Sequence, residues 1–224
     1  MLDLSSWTPP PRPDRTALEG RFARLEPLDP ARHGDHLFAA AHGEAERHRY
    51  LFEDAPGDRA AFGTMLAERA AMPDPMWFAV IDRRTGRAEG RQTLMRITPE
   101  HGAIEIGNIF WGPAIARSAV TTEAFFLHAQ HVFALGYRRF EWKCNDGNEP
   151  SKRAARRFGM RFEGVFRQHM VVKGANRDTA WFAMTDGDWD RERGVFAAWL
   201  DGCGADGQQS ARLEDVRESM IGQA

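Results

Sequence analysis

Residues 136–184 run GYRRFEWKCNDGNEPSKRAARRFGMRFEGVFRQHMVVKGANRDTAWFAM, and no other stretch limits the fold so tightly. Residues 139–144 read as a strand that enters an Asn-Glu-Pro-Ser turn. A short basic helix follows and stops at Gly159, and a strand then opens with FEGVFRQHMV. Strand, polar turn, helix and strand in that order can build a cleft for a long ligand that carries phosphate.

The rest of the chain supplies the partners for this unit. Pro9, Pro10, Pro11 and Pro13 exclude regular helix, so residues 1–20 read as an extended arm on a domain body of 21–200. Residues 21–28 alternate as a first strand. Asp29-Pro30 opens a helix over 31–42, and a second helix spans 58–71, closed by Pro73 and Pro75. MWFAVI (76–81) is wholly apolar, the pattern of a strand covered on both faces. Strands over 92–97 and 103–111 follow, with Gly107 inside the second. A glycine there marks a bulge or the close approach of another backbone. The loop 112–118 leads into a long helix over 119–135, ended by Gly136. After the strand at 139–144 come a helix over 150–158, two strands over 161–172 and 178–185, and an amphipathic helix over 188–200. Residues 201–224 form a polar tail, either disordered or loosely helical. This order predicts one α/β domain with a mixed, mostly antiparallel sheet and helices on both faces. The central hairpins argue against an all-parallel sheet.

Composition excludes several classes. Net charge is −2 with 28% charged residues, so nothing global points to nucleic acid or an anionic membrane, and any anion site must be local. No apolar run approaches the roughly 20 residues that cross a bilayer, and MLDLSSWTPPPRPDR lacks an apolar signal core. Two cysteines, Cys144 and Cys203, make no disulfide framework, and a reducing cytoplasm is the expected home. The histidines show no metal-ligand grouping. His128 and His131 are spaced i, i+3 without a carboxylate partner, so no metal is expected.

Four stretches resemble the GNAT acyltransferase superfamily, and within it the branch of ribosomal-protein N-terminal acetyltransferase-like proteins. They are ALEGRFARLEPLDP, AIEIGNIFWGP, the run from TTEAFFLHAQ through LGYRRFEWKCNDGNEPSKRAARRFGMRFEGV, and RDTAWFAMTDGDW. The likeness covers about residues 17–189. It implies that the strand at 103–111 and the strand at 139–144 splay apart and that acetyl-CoA lies between them. The pantetheine arm would follow the strand edge around Ile109 and Trp111. The diphosphate would rest on Arg117, Ser118, Ala119, Val120 and Thr121 at the start of the long helix, where free amides and the helix dipole attract anions. The family loop is usually glycine-rich, but here Arg117 and Ala119 fill both glycine places. A Cβ restricts positive φ. Cradling phosphate therefore calls for negative φ, with Arg117 and Ser118 adding side-chain contacts; otherwise the loop binds CoA weakly or not at all.

Amine acetylation demands a base, because a lysine ammonium has a pKa of about 10.4 and an α-ammonium about 8. Glu105 is the first candidate. It alternates away from Ile104 and Ile106, and its other reading is a strand carboxylate paired with an arginine such as Arg96. His169 is the substitute. The resemblance places Asn148 against the pantetheine and Ser151 near the sulfur as a general acid, although Asn and Ser also cap helices. Lys152, in the basic helix, could meet phosphate or simply face water. The chain has only Tyr50 and Tyr137, and neither lies on the short helix, where a tyrosine acid would be sought.

The expected function is N-acetyl transfer from acetyl-CoA to a primary amine, a protein N-terminus or a small amine, by direct attack in a ternary complex. The rival is a catalytically inactive GNAT-fold CoA-binding or regulatory module. Phe196, Trp199 and Leu200 of the last helix offer either a homodimer face or a seat on the domain itself.

Overall fold

The computed structural model describes residues 3–221; the first two and last three residues, the ends of the arm and of the polar tail, lie outside the described ones. Among the described residues eight strands make one sheet. They are β1 (Leu18–Glu19), β2 (Ala23–Pro27), β3 (Met76–Asp82), β4 (Arg87–Thr98), β5 (Ala103–Trp111), β6 (Arg139–Asn145), β7 (Arg161–Val172) and β8 (Ala175–Thr185). Their order across the sheet is β1-β2-β3-β4-β5-β6-β8-β7. The β5–β6 pair is parallel and the other pairs are antiparallel.

Helices cover both faces. On one, α1 (Pro30–Ala41) and α3 (Arg59–Ala71) bring Leu37, Phe62 and Leu66 against Trp77, Ala79 and Ile81 of β3. On the other, α4 (Ala119–Ala134), α5 (Glu149–Arg157) and α6 (Asp186–Asp201) enclose an aromatic core. Phe125 of α4 stacks on Phe158 at 4.4 Å, and Phe140, Phe182 and Phe196 surround the pair. All seven β3 residues are buried, as a strand covered on both faces requires.

Each predicted helix lies within a residue or two of its sequence bounds. The differences have physical causes. The strand predicted at 92–97 starts at Arg87, because its first half, RAEGR, hides buried strand positions behind charge. Arg91 is buried there against Glu53, so its polarity misleads a hydropathy reading. A four-residue helix, α2 (Ala45–His48), sits in what read as loop. In the polar tail, α7 (Leu213–Ile221) buries Leu213; Trp199 Nε1 donates to the Ala211 carbonyl at 2.8 Å and Arg217 pairs with Glu192 at 2.8 Å. Phe196, Trp199 and Leu200 are all buried within this domain, so α6 presents none of them as a dimer face. In the arm, Arg12 Nη2 donates to the Pro73 carbonyl at 2.8 Å.

Glu123, in the second turn of α4, is the joint between layers. Its carboxylate accepts the backbone N–H groups of Arg21, Phe22 and Ala23 at 2.8, 2.5 and 2.6 Å. It therefore fastens the β1–β2 turn to the helix that flanks the splayed strands. Glu123→Ala leaves these buried donors without an acceptor and should cost about 3 kcal/mol. The check is a lower urea midpoint at unchanged slope.

Candidate active site

The site begins where pairing stops. β5 and β6 pair over Ala103↔Arg139 to Ile106↔Trp142 and no further. Beyond that point each strand keeps its outer neighbour. β5 follows β4 to Trp111↔Gly90, and β6 follows β8 to Asn145↔Thr179. The inner edges thus part into a V at their carboxyl ends, where α4 and α5 also begin.

A β-bulge coincides with the divergence. Gly107 opposes Thr93 and Phe110 opposes Arg91, so Asn108 and Ile109 together face Gln92. Asn108 takes φ +48°, a left-handed value that Asn tolerates better than most residues. Bulges bend the strand that carries them and sharpen its twist. Gly107 answers a different need: a Cβ there would lie 2.5 Å from Met95 Sδ. The neighbour at 107 is thus a side chain and not the backbone that the sequence suggested, and the bulge falls one residue later.

Glu105, Ile109, Asn148 and Ser151 all line the resulting cleft, together with His169. Glu105 is 4% exposed. Its carboxylate meets Lys143 Nζ at 2.9 Å and Arg96 Nε at 3.3 Å, so the ion pair with Arg96 is present and a second cation joins it. Lys143 also pairs with Glu141 at 2.7 Å and lies 3.7 Å from the centre of the Trp181 ring. Burial pushes the Glu105 carboxyl above its ordinary pKa, against the pull of Lys143 and Arg96. His169 shares a 2.9 Å hydrogen bond with Thr179 Oγ1. Desolvation, with Arg96, Arg177 and Lys143 adding positive charge, holds its pKa below the usual histidine range, so the ring is neutral at pH 7.

Asn148 and Ser151 open α5. Asn148 Oδ1 accepts the Ser151 N–H at 3.2 Å, a helix cap that leaves the amide nitrogen for other use. Ser151 Oγ accepts from Trp142 Nε1 at 3.0 Å. Lys152 is held by Asp146 at 3.2 Å and Glu149 at 2.6 Å. Trp111 lies outside the cleft lining: its indole donates to Gln92 Oε1 at 3.0 Å and its carbonyl accepts from Arg47 Nη1 at 3.3 Å.

The α4 tip departs from the expected negative φ. Arg117 adopts φ +59°, the conformation in which glycine is at ease. Ser118 Oγ accepts the Val120 N–H at 3.2 Å and donates to the Ile115 carbonyl at 2.6 Å, so this hydroxyl is committed to the cap. Ala119, Val120 and Thr121 are buried, while the Arg117 side chain is exposed. Gln209 of the C-terminal segment donates to the Arg117 carbonyl at 2.9 Å.

Sequence reading missed Lys143 and Arg177, whereas the loop at 42–57, where the family resemblance implies the acceptor side, supplies a lid in residues 50–54. Alternation in RFEWKCN places Glu141 and Lys143 on one face, and parallel register then sets them beside Glu105. Nothing local could foretell the contacts that hold the lid. Tyr50 Oη donates to the Gly147 carbonyl at 2.9 Å, and Lys173 in the β7–β8 turn reaches Asp54 at 2.7 Å.

A single mixed sheet with one splayed parallel pair, and two helix N-termini at the open end, defines an acyl-CoA-dependent acetyltransferase fold. Residues 23–161 match the acetyltransferase (GNAT) domain model, and the chain belongs to that family. It is similar to a GCN5-related N-acetyltransferase from Brucella melitensis at 52% identity and TM-score 0.93, over 96% of this chain and 100% of that one. It is also similar to a protein described as a probable acetyltransferase (GNAT family) from Chromobacterium violaceum, at 40% identity and TM-score 0.80, over 85% and 96%. An acetyl transferase from Salmonella typhimurium that modifies the N-terminal serine of ribosomal protein L7/L12 shares the fold at 17% identity and TM-score 0.66, over 76% and 99%. No curated protein matches the sequence. Among the described residues no cluster of three or more His, Cys, Asp or Glu could hold a metal, and no helix is long and apolar enough to cross a membrane.

Lys143→Met removes the cation shared by Glu105 and Glu141 inside the sheet. Breaking such a buried pair should cost about 3 kcal/mol, read as a drop in the denaturation midpoint.

Proposed function

We propose that this acetyltransferase moves the acetyl group of acetyl-CoA to a primary amine by direct attack in a ternary complex, with Glu105 as base and Ser151 as acid. The parting of β5 from β6 after Ile106 and Trp142 carries this reading. The acceptor is a small amine or a protein N-terminus. Two free, buried cysteines fit a cytoplasmic setting.

The residues present suit the cosubstrate. Past Ile106 the inner edge of β5 has no partner strand, so its backbone groups around Ile109 can bond an extended pantetheine arm. An N–H there can also stabilise charge that develops on the acyl oxygen. At the α4 tip the Ser118 and Val120 N–H groups are already bonded, and the amides of Arg117, Ala119 and Thr121 favour a diphosphate, to which the exposed Arg117 side chain adds positive charge. Acetyl-CoA supplies the activated acyl group as a thioester. Asn148 offers its amide nitrogen to the pantetheine. Ser151 accepts from Trp142, so its own proton is free for a departing thiolate. Lys152, already tied to two carboxylates, contributes charge to the same helix start.

The incoming ammonium must lose a proton. Glu105, made more basic by burial, takes it directly or through water. The surrounding cations, Arg96, Lys143 and Arg177, favour the neutral amine by like-charge repulsion.

Titration calorimetry with acetyl-CoA, paired with a thiol-release assay on a panel of amines, tests the reading. Heat and turnover are expected. Absence of both, with no thermal shift at millimolar cosubstrate, would favour an inactive binding module. Glu105→Gln should lower kcat/KM by about 10²-fold. In the wild type, activity should fall as the carboxylate protonates, at a pH above the ordinary carboxylate value because burial raises this pKa. That acidic limb should vanish in Glu105→Gln; its survival would assign the proton to another group, with His169 next in line. Asn148→Asp keeps the helix cap and loses the amide donor. It should raise KM for acetyl-CoA at unchanged thermal midpoint, and an unchanged KM would move the pantetheine elsewhere.

A further inference from the structure

Arg177 is the one cleft cation without an ionic partner among the described residues. It is 8% exposed and lines the cleft wall. Its Nε donates to Thr179 Oγ1 at 3.3 Å, and its guanidinium lies 5.1 Å from the centre of the Phe52 ring. No carboxylate among the described residues approaches it within ion-pair distance, whereas Lys143 has Glu105 and Glu141, Arg96 has Glu105, and Arg91 has Glu53. The charged lining is therefore Arg96, Lys143 and Arg177 against the single carboxylate of Glu105, which two of them already share. A guanidinium sequestered without a counter-ion is unfavourable, and a planar carboxylate matches its fork of donors.

The side of the sheet identifies the missing anion. Arg177 alternates with Thr179 and Trp181 along β8, and Trp181 meets Lys143. Phe182, one residue further on, faces the opposite way into the α4 core. Arg177 thus lies on the sheet face away from α4, next to Phe52 of the lid, and its anion is not the diphosphate assigned to the α4 tip.

We propose that the acceptor is an amine that also carries a carboxylate, and that Arg177 binds that carboxylate while the amine faces Glu105. This deepens the acyl-transfer reading and rests on it. The carboxylate has two sources, the α-carboxylate of a free amino acid or the side chain of an acidic N-terminal residue.

Paired acceptors test this with the full chain and acetyl-CoA: glycine against glycinamide, and a tripeptide beginning with Asp against its Asn counterpart. The carboxylate member of one pair should be favoured in kcat/KM by about tenfold to a hundredfold. A preference in the glycine pair assigns the α-carboxylate, and one confined to the peptide pair assigns the side chain. Arg177→Met should abolish the preference, and Arg177→Lys should keep part of it, as a point charge without the fork. Equal use of both members in both pairs, or a preference that survives Arg177→Met, overturns the proposal. Calorimetry with N-acetylglycine against N-acetylglycinamide, and with the N-acetylated Asp peptide against its Asn counterpart, gives the same comparison without turnover. Arg177-dependent binding of an acetylated carboxylate by protein that gives no heat with acetyl-CoA would sink the acyl-transfer reading and leave the anion site standing. Thermal midpoints of both variants confirm that folded protein is being compared.

Discussion

The cleft exists because two adjacent strands each keep a longer ladder with the outer neighbour than with one another. β5 stays zipped to β4 through the Asn108–Ile109 bulge, and β6 stays zipped to β8 through Asn145. A parallel pair of four residues, Ala103 to Ile106 against Arg139 to Trp142, fixes the vertex. Backbone groups left without a ladder partner need water or a ligand. The sheet therefore offers an unfinished edge past Ile106 and Trp142, at the strand ends that lead into α4 and α5.

Charge organises the same place from the opposite face. The row Arg139, Glu141, Lys143 on β6 alternates in sign, and Glu105 on β5 completes it beside Glu141. Like charges side by side would be unfavourable without Lys143, which bridges both carboxylates. The lysine thereby holds Glu105 in the cleft while its own charge is tempered. Arg96, with φ +49°, comes from the irregular β4 segment between Met95 and Thr98, so a second local kink delivers the second cation. Chemistry and strain meet at both irregularities, one on each strand of the β4–β5 pair.

Much of this was legible in the sequence, and what was not had a common cause. The apolar MWFAVI run, the helix caps and the order around Gly136 to Met184 each depend on neighbours in the chain, and they placed the elements closely. The ion pair of Glu105 with Arg96 was also within reach, since both belong to adjacent strands. Arg91, Arg177 and Lys173 were not. Their meaning depends on Glu53, Phe52 and Asp54, which lie in a loop distant in the chain. The buried charges in RAEGR likewise disguised the start of β4, because hydropathy counts a paired arginine as a surface residue. Leu213 and Val216, sparse apolar residues in a polar tail, were too faint a signal for the helix they anchor.

That tail also bears on the loop before α4, where Arg117 and Ala119 stand. Ala119 begins a helix and needs no special φ, so only Arg117 carries the conformational burden. A left-handed non-glycine residue costs about 1–2 kcal/mol, and one hydrogen bond returns about 1 kcal/mol. Gln209 supplies that bond to the Arg117 carbonyl, and Gly207, at φ +81°, turns the same segment beside Ala119 and Phe22. The segment is itself anchored by buried Leu213 and by Trp199. These residues lie beyond the 23–161 stretch that matches the family model. The left-handed turn at Arg117 is thus maintained by tertiary contact. Because the C-terminal segment now supports the α4 tip, the loop is free to carry a guanidinium at a position where glycine would contribute no charge.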